Sequence, residues 1–286
     1  MDKNKMKIID AHVHYSRIES FINCAKQTSM VDYSEKGYIE EAANCGVVRS
    51  VCMGLTERSP AGFPDHASQS PMLADLTDRL PPGMSVCPGI NPHALDDRCI
   101  SEMEDLINDN NRVSGFKIYA GYYHADVTDP VYDPIYKIAE KYDLTIAVHT
   151  GDTYSDRGLL KYAHPLCIDA LAVAHPELRI VMCHLGVPWV FDACEVAAKN
   201  RNVYADLSGM LVGGAETIER MAANPLLTDR YRQALVYLDN YDKVLFGTDW
   251  PLVPMNAYIA FCKQLIPPEF YEKVFYSNAA KVYRLK

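Results

Sequence analysis

Residues 7–15 read Lys7-Ile8-Ile9-Asp10-Ala11-His12-Val13-His14-Tyr15. An apolar pair leads into three polar side chains at alternate positions. On a β-strand alternate side chains share a face, so Asp10, His12 and His14 are expected on one side and Ile9, Ala11 and Val13 on the other. Two imidazoles two residues apart can reach one cation, and a His-x-His pair ending a strand therefore points to a metal site. Such a pair also arises by chance, so the rest of the chain decides its meaning.

Outward from this stretch, strand-like apolar runs recur at 47–54, 84–91, 113–119, 144–149, 179–184, 203–207 and 243–249. Segments of helical periodicity lie between them, at 34–45, 97–108, 130–141, 165–174, 190–199 and 229–240. With Lys7–His14 the runs make eight βα units, which is the number that closes an α/β barrel. The expectation is a (β/α)8 TIM barrel, one domain over residues 1–286. An open doubly wound sheet is the alternative, but histidines stand at the tip of the first strand where a dinucleotide-binding sheet carries glycines.

Composition narrows the partners. Apolar residues make up 49% and charged residues 23% of the chain, ordinary values for a globular protein. A net charge of -9 and an isoelectric point near 5.5 argue against nucleic acid, which needs a basic patch. The nine cysteines include no Cys-x-x-Cys pair and fall largely in apolar runs, so they read as reduced core residues of a cytoplasmic protein. MDKNKMK at 1–7 has no apolar leader core, and no apolar run reaches membrane-spanning length, so no membrane partner is expected. A homo-oligomer is compatible with the sequence, which carries no signal for its size.

In such barrels the loops after the strand C-termini build the site. By alternation His149 faces the axis with Thr145 and Ala147, His184 with Met182, Asp249 with Gly247 and Leu245, and Lys117 with Gly115 and Tyr119. His12, His14, His149, His184 and Asp249 thus gather at one barrel face. The long connections 56–71, with Gly62, Pro64, Asp65 and His66, and 120–128, with Tyr122, Tyr123 and His124, are candidates to cover a pocket. Arg58 and Arg157 could hold a substrate carboxylate or be solvated surface charge. His93 and Ser208 are rim candidates, whereas His164 and His175, each followed by proline, suit surface or helix-end positions.

The motifs DAHVH at 10–14, GFKIY at 115–119, VHTGD at 148–152, CHLG at 183–186, NVYADLSG at 202–209, GTDWP at 247–251 and SNAAKVYRL at 277–285 together resemble the amidohydrolase superfamily, in its family-2 branch of TIM-barrel hydrolases and decarboxylases. The resemblance spans nearly the whole chain. It implies a divalent metal, usually Zn2+ or else an ion such as Mn2+, one per chain, held by His12, His14, His149 and Asp249, with His184 close by. It leaves Lys117 ambiguous. In binuclear relatives a lysine at this place is carboxylated and bridges two metals, while the reading preferred here is a plain inward lysine paired with a carboxylate or a substrate anion.

The expected chemistry is hydrolysis of an amide or lactone of a small molecule. The metal activates a water, Asp249 serves as general base, and His184 steadies the developing oxyanion. Decarboxylation of an aromatic or unsaturated acid on the same residues is the enzymatic alternative. A metal-binding scaffold without turnover is the remaining one, and it is disfavoured because Asp249 is present beside every expected imidazole.

Overall fold

The computed structural model describes residues 6–59, 62–109 and 112–285. The start of the N-terminal stretch and residues 60–61 of the 56–71 connection lie outside that set. The parallel strands are β1 (Ile8–Val13), β2 (Val47–Met53), β3 (Met84–Cys87), β4 (Gly89–Ile90), β5 (Gly115–Ile118), β6 (Thr145–Val148), β7 (Arg179–Met182), β8 (Val203–Asp206) and β9 (Val244–Leu245). They pair in the order β1-β2-β3 and β4-β5-β6-β7-β8-β9.

The run expected as one strand over 84–91 is two, because Pro88 has no N–H to donate and the ladder changes partners there. β3 pairs with β2, and β4 pairs with β5. A bridge from Val86 to Val113 closes this seam. The other seam closes where Ala11 N donates to Phe246 O and Asp249 N donates to His12 O, at 2.9 and 2.8 Å. The strands therefore form a TIM barrel.

Helices cover the outside. Ser34 caps Glu35–Cys45 by accepting from Gly37 N at 3.0 Å, and Asn224 caps Pro225–Leu238, which starts four residues before the periodicity indicates. Helices at Glu19–Cys24, Ala215–Ala222 and Met255–Leu265 have no counterpart in the pattern read from the sequence.

Two apolar layers result. Ile8, Val13, Phe116, Ile118, Ile146, Val148, Ile180 and Met182 pack outward against the helices. Ile9, Ala11, Val51, Met53, Ala147, Val181, Cys183 and Leu245 fill the barrel itself, and Ala279, Val282 and Tyr283 join them from below. The C-terminal segment is tied there, since Thr145 Oγ1 and Arg179 Nε donate to Val282 O at 2.6 and 3.0 Å.

This layering corrects two orientations. Met182 points outward, and Cys183 takes the inward place expected for its neighbour. On β1 the register with β2 slips between Asp10 and Val13, so strict alternation ends there. Ile9 and Ala11 face in, and Asp10 lies on the outer side, where it accepts from Thr248 N and Oγ1 at 2.9 and 2.6 Å and from His12 N at 3.2 Å. The expected common face of Asp10, His12 and His14 therefore reduces to the two histidines.

Candidate metal centre

His12 leaves β1 at this slip with its ring enclosed. Its Nδ1 lies 3.0 Å from Asp206 Oδ2, and both side chains are fully buried. A carboxylate only accepts, so Nδ1 carries the proton and Nε2 is left as a lone pair. That Nε2 has no hydrogen-bond partner and stands 3.4 Å from Asp249 Oδ1, which has none either. His14 Nε2 is 3.1 Å from the same oxygen. One ligand atom from each of His12, His14 and Asp249 falls within 4.8 Å of the others.

Buried polar atoms without partners are costly, and two of them, His12 Nε2 and Asp249 Oδ1, converge with His14 Nε2. Two imidazoles and a carboxylate with no competing donor fit a divalent metal and leave positions for further ligands. His12, Cys183 and His184 form a second converging group, but the Cys183 thiol already receives Lys117 Nζ at 2.8 Å.

His149 and His184 sit beside the cluster. His149 Nε2 donates to Asp152 O at 2.9 Å, which leaves its Nδ1 as a lone pair, and that atom is 3.1 Å from His184 Nε2. The structure thus sets His149 against His184 rather than among the three converging atoms, because the Asp152 carbonyl fixes its ring. His184 reaches the interior by a left-handed backbone, φ 64°, in place of strand alternation, and Leu185 follows at 47°. Asp249 has φ 68°. Its Oδ2 turns towards His184 Nδ1, 3.9 Å away, while Oδ1 faces His12 and His14.

Burial shapes the charges. It pushes the His184 imidazole down to about 3, with His12 and Lys117 adding to the effect against the pull of Asp249. It lowers His14 and His149 too, the latter helped by His184 and Lys117. Burial alone would raise Asp206 and Asp249, but neighbouring imidazoles outweigh it and hold both well below the usual carboxylate range.

Asp206 has no place in the sequence reading, although it ends β8 inside a motif quoted there. Its Oδ1 accepts from His184 N, Ser208 N and Ser208 Oγ. Ser208 Oγ is also 2.9 Å from His184 Nδ1, which places that rim candidate in the centre. Gly209 is a second omission. A Cβ there would come within 2.6 Å of His184 Nδ1 and 2.8 Å of Asp249 Oδ2, and its φ is +59°. The only signal for either residue was its place at or just beyond a strand end, inside the NVYADLSG motif.

The cluster opens into a cavity of about 550 Å³. Lys117, His14, His149, His184 and Asp249 line it, with Tyr119, Tyr122, Phe21, Phe63, Met210 and Leu211 among the walls. Phe63 packs on Tyr119, Tyr122 and Tyr123 with centroids 5.1, 5.0 and 5.8 Å apart, so both long connections contribute. Tyr119 Oη donates to Gly54 O at 2.8 Å.

Arg58 and Arg157 are not in the lining. Arg58 bonds Gln69, and Arg157 donates to Gly62 O at 2.8 Å, both exposed on the outer loop surface. His66 and His93 stack on each other at 4.2 Å outside the cavity, and His124 binds Arg157 O. His164 lies on Trp189, and His175 on Glu140. Lys117 Nζ meets the Cys183 thiol, and of its two expected partners, a carboxylate or a substrate anion, no carboxylate of the described residues is paired with it.

A barrel of this kind with converging imidazoles and carboxylate at its mouth defines the architecture of metal-dependent TIM-barrel enzymes. Residues 9–285 match the family described as Amidohydrolase, and the chain belongs to that family. No curated protein matches it significantly. Among solved structures it is similar to an uncharacterised TIM-barrel protein of Bordetella bronchiseptica, with 21% identity, a TM-score of 0.72, and 98% of this chain and 99% of that one covered. It is also similar to a 2,6-dihydroxybenzoate decarboxylase of Rhizobium, at 16% identity and TM-score 0.64, covering 98% and 99%. A third is a 5-carboxyvanillate decarboxylase of Novosphingobium aromaticivorans with bound manganese, at 12% identity and TM-score 0.66, covering 98% and 97%.

Proposed function

We propose that the chain is a metal-dependent hydrolase that opens an amide or lactone, a C–N or C–O bond, of a small molecule. The observation that carries this reading is the convergence of His12 Nε2, His14 Nε2 and Asp249 Oδ1 at the floor of an otherwise largely apolar cavity. These three would hold one divalent ion, zinc or manganese, with His149 Nδ1 joining as a further ligand only once its hydrogen bond from His184 Nε2 is broken. Such an ion polarises a carbonyl and acidifies a bound water.

The chain's own groups supply the rest. Asp249, held ionised and lining the cavity, has in Oδ2 an oxygen not turned to His12 and His14, which can take a proton from water and pass it to the leaving group. His184, neutral, carries its one N–H on Nε2 against His149 Nδ1, and turned from that partner it can donate to a developing oxyanion. Asp206 fixes the His12 ring so that Nε2 faces the centre.

Decarboxylation is the second reading. The aromatic walls formed by Phe21, Phe63, Tyr119 and Tyr122 favour it, since they suit a flat unsaturated acid, and two similar structures carry decarboxylase names. Turnover of a panel of lactones, amides and aromatic acids in H2(18)O separates the two. Hydrolysis places 18O in the product carboxylate, whereas decarboxylation releases CO2 and leaves no label in the remaining product. A metal-replete protein that turns over none of the panel would count against both.

A further inference from the structure

Lys117 lies on β5 with Gly89 and Ala147 as its ladder neighbours, and its side chain is 1% exposed. It lines the cavity beside His14, His149, His184 and Asp249. An ammonium has three N–H donors and no acceptor. Here one donor meets Cys183 Sγ at 2.8 Å, and the face of Tyr119 lies 5.4 Å from Nζ. Neither is an anion. Among the described residues no carboxylate is paired with Nζ. Asp206 is engaged by His12, His184 and Ser208, and Asp249 faces His12 and His14.

A buried cation held only by a thiol and a ring face is left short of stabilisation, because removing it from water is costly and neither contact carries an opposite charge. A molecule that enters the cavity with a negative group relieves that deficit. Lys117 lines the same cavity as His14, His149 and His184, so an anion seated on it lies alongside the imidazoles. Phe63, Tyr119, Tyr122 and Leu55 supply an apolar wall for the rest of such a molecule.

We infer that Lys117 is a specificity-determining residue that recognises a carboxylate on the ligand, and that Cys183 and Tyr119 position its amine rather than neutralise it. This rests on reading the same cavity as the reaction site. It separates this chain from relatives in which the corresponding lysine is consumed as a carbamate, formed when a neutral amine adds to CO2 and releases a proton. A carbamate would supply the missing anion from within and leave nothing for a ligand to do.

The test is calorimetric binding of benzoate and of benzamide, equal in shape and different in charge, to the purified protein and to its Lys117→Gln and Lys117→Arg variants, with metal content measured on each sample. The expected result is that wild type binds benzoate at least tenfold more tightly than benzamide, that Lys117→Gln brings the two within about twofold, and that Lys117→Arg keeps the preference. In wild type labelled with 15N-lysine, the Lys117 Nζ resonance should move with benzoate and stay with benzamide, a readout that stands even where the Gln variant does not fold.

Equal affinities in wild type, no binding of benzoate, a Gln variant that keeps the preference, or a lysine carbamate resonance that appears with 13C-bicarbonate and is lost on Lys117→Gln would each overturn the inference. The two readings fail separately. Metal-replete protein indifferent to Lys117 removes the anchor and leaves the metal centre, whereas metal-free protein that binds benzoate through Lys117 does the reverse.

Discussion

His12 Nδ1 stands 3.0 Å from Asp206 Oδ2, with both side chains closed off from solvent. That pairing decides which nitrogen of His12 faces Asp249, and it makes Asp206 the support on which the proposed centre rests. Replacing Asp206 by Asn removes the charge and lets an amide nitrogen face the ring. Metal affinity is expected to fall ~10–100-fold, the usual effect of losing a carboxylate behind a metal-bound histidine. Competition with a chromogenic chelator measures this, and an Asn variant with wild-type affinity would refute it.

Gly209 occupies a gap that no other residue can fill. Gly209→Ala puts a methyl within 2.6 Å of His184 Nδ1 in a left-handed backbone, φ +59°. The backbone alone costs ~1–2 kcal/mol, and His184 or Asp249 must also move. Urea unfolding should show a loss of at least that size together with a drop in kcat of more than ~10-fold, since a displacement of about 1 Å at reacting groups can cost 10²-fold. Unchanged kcat would mean that the spacing between His184 and Asp249 is not critical.

Asp249→Asn keeps the shape of the side chain and takes away its capacity to accept a proton. The proposed general-base step predicts a fall in kcat of ~10²–10⁴-fold with little change in KM. Metal must be quantified alongside, because Asp249 is also a proposed ligand. A variant that retains metal and turns over within a few-fold of wild type would transfer the base to His184.

The buried imidazoles make stability depend on pH. His184 falls from its ordinary value of 6.5 to about 3 in the folded chain, and His14 and His149 shift in the same direction. Below pH 6.5 the unfolded chain binds protons that the folded one refuses, so their contribution is whole above that pH and is lost as pH falls towards about 3. Asp10 runs the other way, from 3.8 up to about 7, so its folded form holds a proton that the unfolded chain has released, and stability falls as pH rises through that window. His93 is lowered as well and Glu41 raised, so four imidazoles against two carboxyls predict a metal-free Tm that declines on acidification below pH 6.5, with a shallower slope in His184→Asn. A slope unaffected by that substitution would contradict the assignment.

Much of this arrangement is legible in the chain because strand ends announce themselves. An apolar run that stops at His149 or Asp249 needs only the barrel to bring both to one cavity, and eight such runs imply the barrel. What escaped is local backbone geometry. Alternation correctly turns Ala147 and Leu245 inward but puts Met182 on the wrong side, because His184 enters through a left-handed residue that no periodicity encodes. The slip after Asp10 is of the same kind. Arg58 and Arg157 stay open in the sequence between carboxylate anchor and solvated charge, because charge in a loop can be read from composition while the direction a loop turns cannot. Asp206 was passed over for a related reason, since its effect is exerted through His12, 194 positions away in sequence.

The C-terminal segment that enters the barrel from below, with Ala279, Val282 and Tyr283 among the interior side chains, makes the strand tube a blind sac. Whatever reacts there must leave through the cavity by which it arrived, along walls that include Phe63 and Tyr122. Traffic in such a vessel is single file. A product that lingers therefore blocks the next molecule, so inhibition by product should be competitive, and the pace of repeated turnovers is set in part by how readily the aromatic rim lets go.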